Sequence, residues 1–144
     1  MPEESVVERA RQDEREGKSP STQAGEFVHE EIEHIKEGKH GARSAKQAIA
    51  IGLSKARRAG VKLPPPKSGS DEVRHRAERD QEKGEHPEAP SRKRSGAATK
   101  ALKREGSQAA SHAALSRQAK DSAKRRTGEE RSAAARKAVR TRSK

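Results

Sequence analysis

Only fifteen of the 144 residues are Val, Ile, Leu or Phe, and seven of those fifteen lie between Phe27 and Leu53. A strongly charged chain with less than ~20% of such residues is expected to be largely disordered, and this one holds about half that share. Ordering the backbone alone costs about 1–2 kcal/mol per residue, which solvated polar side chains do not offset. The expected fold class is therefore mainly α: a small two-helix hairpin with a mostly disordered or transiently helical N-terminus, linker and basic C-terminal tail.

The apolar residues and the turn chemistry around them set the boundaries. Ser19 is placed to cap a helix with Pro20 at its first position. Ala24, Phe27, Val28, Ile32 and Ile35 then recur at three- and four-residue spacing, one face of a helix running to about Glu37 and stopped by Gly38. Ser44 with Gln47 reads as a capping box that opens a second helix. Its apolar stripe is Ala45, Ile49, Gly52, Leu53 and Ala56, and Gly60 sits where a left-handed cap belongs. The hairpin core is expected to consist of Phe27, Val28, Ile32, Ile35, Ile49 and Leu53. The connection at 38–43 is six residues long with two glycines, which fits an antiparallel hairpin; helix-turn-helix, with a shorter turn, is the competing geometry.

Around this hairpin the chain divides into 1–18, a charged segment with a marginal helix; 19–63, the hairpin; 64–90, a Pro-rich and mixed-charge linker with a short helix starting at Ser70; and 91–144, a tail rich in Ala, Lys, Arg and Ser. Within the tail Arg94–Lys103 aligns with Arg131–Arg140, and Thr127 with Glu130 forms another capping box. These repeats have high helix propensity but little apolar face.

Charge is distributed as unevenly as hydrophobicity. The tail carries 17 Lys and Arg against Glu105, Asp121, Glu129 and Glu130, a net charge of +13, so residues 1–90 come out at −1. A one-signed arm on a near-neutral body points to a polyanion, because cations that neutralise phosphates release condensed counterions whatever the base sequence. The expected phosphate contacts are Arg92, Lys93, Arg94, Lys100, Lys103, Arg104, Arg117, Lys124, Arg125, Arg126, Arg131, Arg136, Lys137, Arg140 and Arg142. With Phe27 the sole aromatic residue, base stacking on single strands is disfavoured and duplex backbone is the expected target. Arg43, Lys46, Arg57 and Arg58 give the second helix a basic outer face, open to two readings: DNA contact, or complementarity to Glu26, Glu30, Glu33 and Glu37 on the first helix. Ile51 lies opposite the apolar stripe and is a candidate dimer or partner contact.

Catalytic and metal motifs fail on spacing. His29 and His34 flank three glutamates as in a zincin helix, but five residues apart they lie about 140° from one another instead of sharing a face. Glu31 and His34 have the Glu-x-x-His spacing of di-iron bundles without a second such helix. Gly17-Lys18-Ser19 mimics the end of a P-loop with Gln12 where the earlier glycine belongs. The chain has no cysteine, which excludes thiolate metal sites and thiol catalysis. No enzyme activity, catalytic residue, metal or cofactor is expected. The N-terminus is acidic and no run approaches a membrane span, so a cytoplasmic, nucleoid-associated location is expected.

The stretch Lys46-Gln47-Ala48-Ile49-Ala50-Ile51-Gly52-Leu53-Ser54, followed by Ala56-Arg57-Arg58-Ala59-Gly60, resembles a signature shared by a family of small basic bacterial proteins of unknown function. The tail is similar in composition to the Ala/Lys/Arg-rich arms of linker-histone-like bacterial proteins. The family resemblance allows a DNA-binding or plasmid-maintenance role, and it carries over no catalytic residues. The leading expectation is a nonspecific duplex-DNA-binding, histone-like accessory protein of the nucleoid. The alternatives are a protein–protein interaction module or homodimer docking through the Phe27/Ile32/Ile49/Leu53 surface, and a hydrophilic stress-protective protein.

Overall fold

The computed structural model of the chain describes residues 2–67, 69–87, 89 and 91–143. It contains seven α-helices and, among the described residues, no strand: α1 (Glu4–Arg15), α2 (Pro20–Lys36), α3 (Ala45–Arg58), α4 (Asp71–Glu85), α5 (Arg92–Lys103), α6 (His112–Lys124) and α7 (Gly128–Arg142), with a 3₁₀ turn at Gln108–Ala110. This corrects the expected two-helix hairpin with disordered flanks. The hairpin of α2 and α3 is present, but α1 packs on α2, α4 packs on α3, and the 3₁₀ turn touches both central helices.

The boundaries of the central helices follow from local chemistry. The Ser19 side chain accepts from Thr22 N with Pro20 at the first helical position, and the Ser44 side chain accepts from Gln47 N. The Gln47 side chain reaches back to Arg43 N, satisfying a second donor at 2.6 Å. Both helices end on a glycine with positive φ, Gly38 at 77° and Gly60 at 102°. There Lys39 N donates to His34 O and Val61 N to Ala56 O, the six-to-one bond of a Schellman ending.

The missing large side chains are replaced by alanine. Nine of the thirteen buried hydrophobic residues are Ala, joined by Val6, Phe27, Ile35 and Val61. One cluster gathers Val6, Ala10, Ala24, Phe27, Ala56 and Val61, with Leu53 partly buried against it; a second gathers Ile35, Ala42, Ala48, Ala109 and Ala110, with Ile32 at its edge. Of the expected hairpin core, Phe27 and Ile35 are fully buried, whereas Val28, Ile32, Ile49 and Leu53 are only half-buried. Of the expected stripe on α3, Ala45, Gly52 and Ala56 are buried, and Ala48 completes the buried line. At its centre a Cβ on Gly52 would meet Val28 Cα at 2.6 Å, so α2 and α3 touch almost backbone to backbone. Small residues at three- and four-residue spacing permit that approach, and dispersion between closely packed backbones takes the place of large side-chain volume.

The flanks are ordered by the same device together with buried charge. On α1, Val6, Ala10 and Asp13 face α2, and Lys18 closes the turn between the helices by pairing with Asp13 at 2.9 Å. On α4, Ala77 and Asp80 are buried. Asp80 accepts from Ser54 Oγ and from Arg58 Nε, both at 2.7 Å, and Gly84 lies against the carbonyl of Arg57. Residues 71–85 are therefore a packed helix and not a linker. Pro64 is also held, since Arg57 donates to the carbonyls of Leu63 and Pro64 at 3.2 and 3.1 Å.

The tail is helical because every one of its helices has a capped start and an Ala/Lys/Arg-rich body. The side chains of Ser91, Ser111 and Thr127 accept from Arg94, Ala114 and Glu130, and Thr127 with Glu130 makes a full capping box. It is anchored by Ala109 and Ala110, which are buried in the second core cluster. No described helix is long and apolar enough to cross a membrane.

Two glycines test this packing. Gly52→Ala is expected to destabilise the protein by about 1–3 kcal/mol, because its Cβ must displace the α2 backbone. Gly25→Ala, with no atom within 4 Å of the added Cβ, is expected to stabilise α2 by about 0.5–1 kcal/mol. Urea unfolding followed by circular dichroism reads both, and equal effects would contradict the close α2–α3 contact.

Candidate nucleic-acid interface and a buried carboxylate–histidine cluster

The basic residues singled out in the tail lie on three exposed helices and their ends. Arg92, Lys93, Arg94, Lys100, Lys103 and Arg104 are on or just after α5; Arg117, Lys124, Arg125 and Arg126 are on or just after α6; Arg131, Arg136, Lys137, Arg140 and Arg142 are on α7. All are exposed, and no residue of α5, α6 or α7 is fully buried. Among the described residues, none of these cations forms an ion pair; Lys144 lies outside them. Two of the cations have uncharged partners. Lys137 donates to Ser21 Oγ at 2.6 Å, which brings α7 against the start of α2, and Arg131 donates to the carbonyls of Ala123 and Arg126. At 100° per residue Arg131 and Arg142 share one side of α7, with Arg136, Lys137 and Arg140 on the other, so the cations surround the helix.

The basic outer face expected on α3 is largely consumed. Arg43 and Lys46 are exposed, but Arg58 pairs with Asp80 and Arg57 is buried on its carbonyl partners. Burial pulls the Arg57 guanidinium below its usual pKa, opposed by the Asp80 carboxylate. The cause is α4, which covers that face. Ile51 is half-buried. Of the Phe27/Ile32/Ile49/Leu53 surface, Phe27 is fully buried in the cluster that contains Val6 and Ala10 of α1, and the other three are half-buried.

Beside the buried Ala109–Ala110 turn, the tail is joined to the body through its backbone. Gly41 N donates to Leu102 O at 2.9 Å and Ala42 N to Gly106 O at 3.1 Å, joining the α2–α3 connection to the end of α5.

On the other side of that connection lies a constellation that spacing along one helix does not reveal. Glu31, fully buried on α2, accepts from Lys55 of α3 through Oε1. Its Oε2 lies 3.2 Å from His40 Nε2 yet accepts no hydrogen bond. His40 Nδ1 is 2.9 Å from Gly41 O. His34 sits between carboxylates: Nδ1 is 3.9 Å from Glu31 Oε1, and Nε2 is 3.5 Å from Glu3 Oε1 and 3.9 Å from Glu30 Oε1. Glu30, expected on an exposed acidic face, is buried; its Oε1 accepts from Glu3 N at 2.7 Å and its Oε2 is unpartnered. The sequence signal was the Glu31/His34 pair; the completing residues arrive from the N-terminal segment and from the loop after α2.

A protein-family model described as "Family of unknown function (DUF6496)" matches residues 17–67, which span α2, α3 and the signature at 46–60. No curated protein and no solved structure matches the chain.

Gly41→Ala tests the junction, because a Cβ there would lie 2.0 Å from Glu105 O and 2.5 Å from Gly106 O. The expected result is faster proteolysis and faster amide exchange at Gly41 and Ala42, with the α2–α3 helicity retained. Unchanged protection of these two amides would contradict the docking.

Proposed function

We propose that the protein binds duplex nucleic acid nonspecifically through α5, α6 and α7. The observation that carries this reading is that the exposed cations of the tail are without acidic partners among the described residues, whereas several cations of the body, among them Lys18, Lys55 and Arg58, are paired with carboxylates. Leaving so many like charges unpaired costs self-repulsion, which a polyanion relieves with release of its counterions. Phosphate oxygens are the ligands, the helices track the backbone, and no side chain is assigned to base readout. Duplex is favoured over single strands because the sole aromatic ring, Phe27, is buried and offers no base a stacking face. The compositional likeness of the tail to linker-histone-like arms agrees with a histone-like accessory role on the nucleoid in the cytoplasm. A docking module built on the hairpin surface is disfavoured, because α1 covers Phe27.

Salt titration of duplex binding by the full chain is the test. If about 6–10 cations engage phosphates together, affinity falls about 10³–10⁵-fold between 50 and 200 mM salt. Replacing Arg136, Lys137 and Arg140 by Gln lowers affinity for unrelated duplex sequences alike and reduces the salt slope by about 0.9 for each phosphate no longer neutralised. A flat salt response, or binding undisturbed by the α7 substitutions and by equivalent ones on α5 and α6, overturns the reading. Substitution is preferable to truncation, since removing residues 91–143 would also remove Ala109 and Ala110 from the core.

A further inference from the structure

We propose that Glu31, His34 and His40 bind one divalent first-row transition cation, with Zn²⁺ the ion best suited to two imidazoles and a carboxylate. The ligand atoms these residues offer all lie within 4.8 Å of one another. The groups around each ring set which nitrogen is turned toward Glu31. His40 Nδ1 faces the carbonyl of Gly41 at 2.9 Å, so Nδ1 carries a proton and, in the neutral ring, Nε2 carries the lone pair. Nε2 lies 3.2 Å from Glu31 Oε2, which is buried and accepts no hydrogen bond, so with the ring neutral two acceptors stand face to face. His34 Nε2 lies on the side of Glu3 and Glu30, at 3.5 and 3.9 Å, and Nδ1 on the side of Glu31, at 3.9 Å, so Nδ1 is the nitrogen it offers toward Glu31.

Two imidazole nitrogens thus converge on one buried carboxylate. Each imidazole directs its other nitrogen at a carbonyl or carboxylate, the outer-shell arrangement that orients metal-binding histidines. Two atoms each ~2.0–2.2 Å from a tetrahedral ion lie about 3.3–3.6 Å apart, and Glu31 Oε2 and His40 Nε2, at 3.2 Å, are near the lower end of that range. Lys55 holds Oε1 and leaves Oε2 for the ion. With neutral imidazoles, Glu31 has the ammonium of Lys55 as its cation while the buried Glu30 accepts only from the Glu3 amide, an excess of negative charge that a divalent cation offsets. The bound ion ties α2 to the α2–α3 connection, the segment that also carries the junction with α5.

The test is calorimetric titration of the chelator-treated full chain with Zn²⁺, together with its melting temperature. One equivalent binds and the melting temperature rises. His34→Gln and His40→Gln each weaken binding by more than the 10–100-fold typical of losing an outer-shell partner, whereas His75→Gln and His112→Gln leave it unchanged. Because a ligand variant can lose the fold, circular dichroism is recorded without metal. His40→Cys supplies a second readout: the chain has no other cysteine, so Co²⁺ added to this variant produces a thiolate charge-transfer band absent from the parent. Absence of Zn²⁺ binding by the parent overturns the proposal and identifies the His40–Glu31 contact as an imidazolium–carboxylate pair. So does binding that survives both glutamine substitutions, or a folded His40→Cys variant without the band. These outcomes are independent of nucleic-acid binding.

Discussion

The approach of α3 to α2 at Gly52 and Val28 is the constraint on which the remaining packing rests. A chain with so few large apolar residues cannot fill a wide gap between helices, so it narrows the gap. The Ala45/Ala48/Gly52/Ala56 line lets the two backbones meet, and the same proximity sets Lys55 beside Glu31. With α3 drawn in, its remaining faces are shallow enough for other small residues to cover. Ala77 and Gly84 do so on α4, and Ala109 and Ala110 do so after α5. Each buried alanine removes little apolar area from water, so at about 25 cal/mol per Å² no single contact dominates. Stability is shared among several helix–helix contacts, unlike a core dominated by one cluster of large side chains.

That difference explains which parts of the fold the sequence makes legible. The starts of α2 and α3 are written in Ser19-Pro20 and Ser44, and their ends in Gly38 and Gly60, because capping and positive φ are local requirements. The extent of order is not legible from counting Val, Ile, Leu and Phe, since alanine does most of the burying and looks the same on an exposed helix as in a core. The stripe of α3 is legible in Ala45, Gly52 and Ala56, which are buried, but the larger Ile49 and Leu53 draw it toward themselves although they are only half-buried, and Ala48 is missed. Burial of α4 is hidden because its key residue is an aspartate. Asp80 becomes a core residue only once Ser54 and Arg58 are in reach.

The carboxylate–histidine cluster is illegible for a related reason. Spacing rules compare residues on one element, and on α2 alone His29 and His34 fail to share a face. In three dimensions His29 is exposed and has no part in the cluster, whereas His40 folds back from the loop and Glu3 arrives from the start of the chain. The Gly38 turn reverses the chain immediately before His40, so a feature recognised as a helix stop also positions a histidine of the cluster.

Charge is used in two distinct ways along this chain, and the distinction locates the proposed interface. In residues 1–90 carboxylates do structural work: Asp13 closes the α1–α2 turn on Lys18, Glu31 holds Lys55, and Asp80 holds Ser54 and Arg58. These groups are partly or wholly withdrawn from water, where a missing partner leaves an uncompensated buried charge, so their cations are committed and cannot also serve a phosphate. In the tail the cations are exposed, and their helices are held by capping and by the buried Ala109–Ala110 turn, so they can exchange water and counterions for phosphates without breaking a core contact. Lysine and arginine on α3 and on α7 are alike in sequence, but only those of the tail remain electrostatically available as a group.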